Sequence, residues 1–97
     1  MKERWDLVTW TILEDMVKVL TFGAEKHTDD GWKDLPYDFH FEALMRHISE
    51  WRKGHVLDEE SNLPHLAHAM CRLMFLSYLD RTDDLKYKFI EDSNPLR

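Results

Sequence analysis

Between Leu66 and Leu79 a helix would carry apolar residues on almost every side: Leu66, Ala67, Ala69, Met70, Leu73, Met74, Phe75, Leu76 and Leu79. A helix patterned this way sits at the centre of a bundle or is shared with a second subunit. The rest of the chain must then supply helices to cover it. Ile12, Leu13, Met16, Val17, Leu20 and Ala24 recur at three-and-four spacing and predict a helix over about 12–26, with Thr11 and Glu14 as its capping box. Asp38 is the expected N-cap of a second helix over about 39–53, whose core stripe is Phe41, Leu44, Met45, Ile48 and Trp51. Gly54 should close it as a left-handed C′ residue. The central helix is expected over about 62–80, and a short fourth one over about 84–91, anchored by Leu85, Phe89 and Ile90. No segment alternates as a strand does, so the expected class is all-α. The expectation is a single small bundle of about four helices, with a frayed tail at 92–97.

Size and charge narrow the function. A chain of 97 residues buries only about two-thirds of its unfolded surface, so association through the apolar second and third helices would stabilise it. A homo-oligomer is expected. Nineteen acids against thirteen bases give a net charge of −6. That argues against a nonspecific nucleic-acid binder, which needs a basic face to displace counterions. It suits an enzyme that neutralises its own carboxylates with metal ions, or a protein that blocks a basic partner. The lone cysteine, Cys71, lies in an apolar helical run and reads as a small core residue in a reducing compartment. No apolar run reaches transmembrane length and the N-terminal residues lack a signal-peptide core, so no membrane association and a cytoplasmic location are expected.

Chemistry concentrates between Gly54 and Arg72. His65 and His68 are three apart and project from one side of a helix, and Arg72 extends the same face. Asp58, Glu59 and Glu60 lie just upstream, and oxygen and imidazole donors at this density suit a divalent metal. The same residues also read as an acidic helix start that complements the macrodipole, with two histidines in water. The candidate ligands are Asp58, Glu60, His65 and His68, with His47 from the second helix. Several imidazoles favour Mn²⁺ or another transition ion, whereas Mg²⁺ prefers oxygen alone. Lys26 and Arg46 are candidate phosphate contacts or snorkelling surface cations. Trp32 either stacks on a base or closes a small core. Arg46 and Glu50, four apart, read as a surface pair. Trp5, Trp10 and Trp51 are expected to pack, and His27 and His40 have no expected role.

Several blocks together resemble a known family. They are Arg4-Trp5-Asp6-Leu7; Thr21-Phe22-Gly23-Ala24-Glu25-Lys26-His27; Gly31-Trp32; Arg46-His47 with Trp51; and the run from Gly54 through Ala69. Taken together over about residues 4–80, they resemble the N-terminal domain family of phage dATP/dGTP diphosphohydrolases, and the last block is the specific one. Three positions depart from the family pattern: His55 replaces an acidic residue, Asn62 a glycine and Arg72 an asparagine. Asn tolerates the left-handed backbone almost as well as glycine. The chain also lacks the paired E-x-x-E and E-x-x-D helices of the wider MazG-like pyrophosphohydrolases.

The resemblance implies a metal-dependent hydrolase of purine deoxynucleoside triphosphates that releases pyrophosphate. In that reading Glu59 or Glu60 orients the attacking water, while Lys26, Trp32, Arg46 and Arg72 contact the substrate. The alternative is a non-catalytic phage protein that binds a nucleotide, a nucleotide signal or a host defence protein. His55 and Arg72, at the departures, suit that alternative. A third reading is a structural subunit in which a metal only staples loop to helix.

Overall fold

A computed structural model of the chain describes residues 2–82. Among them are three α-helices: α1 (Trp10–Lys26), α2 (Tyr37–Arg52) and α3 (His65–Thr82). Short 3-10 turns at Trp5–Leu7 and Gly31–Asp34 precede α1 and α2. The structure is all-helical over these residues, and the expected helix at about 84–91 lies outside them.

Helix α3 is the central element, packed most extensively on α2 and next on α1. Small residues make the close approach possible: Ala43 on α2 and Ala67, Ala69 and Cys71 on α3 are buried. The core cluster joins Val19 of α1 to Ala67, Cys71 and Phe75, with Met16, Leu20, Trp32, Leu63 and Met70 packed around it. Trp32 stacks on Phe75 at 4.3 Å between centroids and meets Tyr78 edge-on, so the short loop helix is pinned to α3. Burial pushes the Cys71 thiol up to about 11. In the folded protein Cys71 should therefore resist a thiol reagent at pH 8 that labels the urea-unfolded chain fully. Equal labelling in both states would contradict the packing described.

Helix α2 turns a different face inward from the one its large apolar residues suggest. His40, Ala43, Leu44 and His47 are buried, whereas Phe41, Met45 and Trp51 are exposed. Spacing alone could not separate the two stripes, since both recur at three and four. The smaller face wins because Ala43 admits α3 closely and both histidines find partners there. Trp5 and Trp10, expected to pack, are also exposed, at 75% and 60%. Glu50 pairs with Lys53 and His55 rather than with Arg46.

The helices start at other residues than expected and without the expected side-chain caps. Thr9, not Thr11, precedes α1, and its carbonyl accepts from the Ile12 and Leu13 amides. Helix α2 begins one residue before Asp38, behind Pro36, whose carbonyl accepts from Phe39. Neither start carries a side-chain cap. Pro64 plays the same part for α3, three residues later than expected, with its carbonyl accepting from Ala67 and His68. Proline is tolerated just before α2 and α3 because it has no amide to lose from the helical ladder. Gly54 does adopt a left-handed φ of 99° after α2, and Asn62 has a φ of 60°.

Candidate metal and phosphate site

The loop between α2 and α3 folds back on itself and is tied by its own backbone. The Asp58 amide donates to the Leu63 carbonyl, the Asn62 amide to the Asp58 carbonyl, and the His65 amide to the Val56 carbonyl, each at 2.8 Å. Asn62, in the left-handed region, makes the reversal possible. The Asp58 carboxylate accepts from the Ser61 amide at 2.9 Å and from the Ser61 hydroxyl at 3.0 Å. Burial works against the Asp58 anion, but these two bonds, together with nearby His68 and His47, hold the carboxyl below its ordinary value. The acidic run is therefore an ordered turn that aims one carboxylate at the helices.

Opposite Asp58 stand three histidines. His47 of α2 and His65 of α3 face each other with their Nδ1 atoms 2.9 Å apart. His47, His65 and Asp58 offer one ligand atom each, all within 4.8 Å of one another. His68 stacks on His47, with centroids 4.5 Å apart and planes at 11°. Its Nε2 lies 2.7 Å from the Ser61 hydroxyl and 3.9 Å from Asp58. The Ser61 hydroxyl thus links the carboxylate to this third ring. Burial pushes His47 down to about 4, and neighbouring His68 and Arg46 add to the effect. His68 is lowered by burial as well. Neutral imidazoles beside an ionised carboxylate form a donor set of the kind transition ions take. The residues fit a divalent metal.

The lowered histidines carry a stability consequence. The folded value of His47 lies below the ordinary value of 6.5, so between those values the unfolded chain holds a proton that the folded one does not. The His47 contribution is flat above about pH 7 and falls as pH drops from 6.5 toward 4, by up to about 1.4 kcal/mol per pH unit. His40 and His68 act in the same direction. Urea unfolding at pH 7 and pH 5 should show a clear loss at the lower pH; unchanged stability would contradict the neutral, buried cluster.

A cavity of about 810 Å³ opens beside the cluster. Its wall includes Lys26, Trp32, Arg46, His47, Asp58, Glu60, His68 and Arg72, together with the apolar side chains of Phe22, Leu35 and Phe39. His65, against His47, is not on the wall. Lys26 forms an ion pair with Glu60, which ties α1 to the loop. Glu59 is exposed and is not part of the wall. Trp32 reaches the cavity while Phe75 stacks on its ring and the Lys33 ammonium lies 5.6 Å from its centre. His55 binds Glu50 at 2.8 Å, away from the cluster.

Two side chains acquire roles that the sequence did not suggest. Ser61 holds Asp58 and His68 together, and the D-x-x-S spacing of a side-chain turn was its signal. His40, with no role expected from the sequence, is completely enclosed and bonded at both nitrogens. Its signal was its place three and seven residues from Ala43 and His47, on one face of α2.

The molecule is thus an all-α protein in which a carboxylate and imidazoles from a loop and two helices meet at the edge of a cation-lined cavity. The family described as "dATP/dGTP diphosphohydrolase, N-terminal" matches residues 1–88, and the chain belongs to that family. It is 35% identical over 66 residues to a "dATP/dGTP diphosphohydrolase" of Salmonella phage PMBT28. That match covers 68% of this chain and 23% of the relative, so the chain spans about a quarter of the protein it resembles. No solved structure gives a significant match. Among the described residues no helix is long and apolar enough to cross a membrane.

Proposed function

We propose that the chain binds a purine deoxynucleoside triphosphate in the cavity and hydrolyses it, with a divalent metal, to the monophosphate and pyrophosphate. The observation that carries this reading is the convergence of Asp58, His47 and His65 on one point beside Arg46 and Arg72. A divalent ion there, Mn²⁺ or another transition ion in preference to Mg²⁺, supplies charge neutralisation and a more acidic water. Asp58 and the two imidazoles hold it, and His68, through Ser61, keeps Asp58 oriented. Arg46 and Arg72 take phosphate oxygens, the first from the cavity rim and the second from a half-buried position. Lys26 can join them by exchanging its pairing with Glu60, which frees that carboxylate to orient a water. Glu59, on the same exposed turn, is the other candidate for that task. The base fits the apolar wall of Phe22, Leu35 and Phe39 more readily than Trp32, one face of which Phe75 covers.

The test is pyrophosphate release from dATP and dGTP with Mn²⁺, Co²⁺ or Mg²⁺, against a chelated control. Metal-dependent release of pyrophosphate and monophosphate supports the enzyme. Stoichiometric nucleotide binding without turnover would replace it with the binding-protein reading. We also infer self-association through the outward faces of α2 and α3, because Phe41, Met45, Trp51, Leu66 and Leu73 stand exposed there. Light-scattering mass in solution decides that point, and a monomer removes it.

A further inference from the structure

We propose that His40, outside the carboxylate–imidazole cluster, is a positioning residue that holds Arg72 in the cavity wall for nucleotide phosphate without neutralising its charge; this rests on the triphosphate reading above. The His40 ring is fully enclosed between two partners of fixed character. The Trp32 carbonyl, 2.9 Å from Nε2, can only accept. The Arg72 guanidinium, 2.9 Å from Nδ1, can only donate. One tautomer satisfies both: Nε2–H donates to Trp32, and the Nδ1 lone pair accepts from Arg72. The ring is therefore neutral, in keeping with its burial.

Arg72 has what such a clamp would serve. Among the described residues no carboxylate pairs with it, and its guanidinium carbon lies 5.3 Å from the Phe39 ring and 5.8 Å from the Phe75 ring. Arg46 stands near enough on the same cavity to repel it. A half-buried cation facing a like charge is costly until an anion arrives. His40 takes one of five guanidinium donors, which leaves the others for phosphate oxygens. An aspartate at position 40 would orient Arg72 equally well but cancel its charge. A neutral imidazole orients without cancelling.

The test compares wild type, His40→Phe, His40→Asn, Arg72→Ala and the His40→Phe/Arg72→Ala double variant. Inorganic triphosphate binding is measured by calorimetry without metal, and nitrogen NMR of His40 and Arg72 is recorded in the ligand-free protein. His40→Phe should weaken triphosphate binding about tenfold, the scale of one lost charged hydrogen bond. His40→Asn, whose amide oxygen can stand in for Nδ1, should recover most of it. The double variant should bind no more weakly than Arg72→Ala. The wild-type spectrum should show an unprotonated Nδ1 and a slowly rotating Arg72 guanidinium. Wild-type affinity in folded His40→Phe, or additive losses in the double variant, overturns the clamp. Should His40→Phe fail to fold, a protonated Nδ1 or a freely rotating Arg72 in wild type overturns it equally. A locked Arg72 with no triphosphate binding in any variant sinks the nucleotide reading instead, and the clamp's purpose with it.

Discussion

Asp58→Asn is expected to lower divalent-metal affinity by at least about 100-fold and to abolish metal-dependent turnover, while leaving the protein folded. A loss of that size follows because changes to mere outer partners of metal ligands already cost about 10–100-fold. Asparagine is the informative replacement. Its amide oxygen can still accept from the Ser61 amide, so the turn that Asp58 closes keeps an acceptor, and only the negative charge is lost. Alanine would remove the turn's acceptor as well, and a loss of metal would then be confounded with a loosened loop. Metal affinity is read by titration calorimetry and folding by circular dichroism. Metal affinity and turnover within about threefold of wild type, in a folded Asp58→Asn protein, would show that this carboxylate holds no ion.

Phe75→Ala should be the most damaging single change in the core, at about 3–5 kcal/mol, the usual range for a buried phenylalanine cut to alanine. Phe75 is buried in the core cluster, stacks on Trp32 at 4.3 Å and meets His40 at 5.3 Å. Its loss leaves the Gly31–Asp34 turn without its anchor and opens the enclosure around His40. The effect should therefore reach the cavity wall as well as global stability. Equilibrium urea unfolding measures the first, provided the slope against denaturant is unchanged. A cost under about 1 kcal/mol would mean that Trp32 and its neighbours collapse into the space, and the ordered core described here would be wrong.

The helical class, the centrality of α3 and the stop at Gly54 were legible in the sequence, because each rests on spacing or on a local backbone preference. Asn62 was legible for the same reason. The inward face of α2 was not. Phe41, Met45 and Trp51 outrank His40 and His47 on any transfer scale, and only the partners that bury those imidazoles reverse the order. Those partners lie 8 to 32 residues away in sequence. Residue chemistry and family resemblance put His47, Asp58, Glu60, His65 and His68 in one candidate ligand set. The structure brings ligand atoms of His47, Asp58 and His65 within 4.8 Å of one another. It pairs Glu60 with Lys26 and sets His68 against Ser61, whose part the sequence did not suggest. Helix starts misled in a systematic way: Thr11 and Asp38 looked like caps, yet the helices start after Thr9 and Pro36 with no side-chain cap. Side-chain capping preference is worth only about 1 kcal/mol, too little to fix a helix start by itself.

Whether Asp58, His47 and His65 together hold one divalent ion is decided by Mn²⁺ titration followed by electron paramagnetic resonance. The free-ion signal should stay suppressed until one equivalent has been added to wild type. It should appear from the first addition with Asp58→Asn and with His65→Ala. Full suppression to one equivalent in both variants, or none in wild type even with dGTP present, would contradict the site.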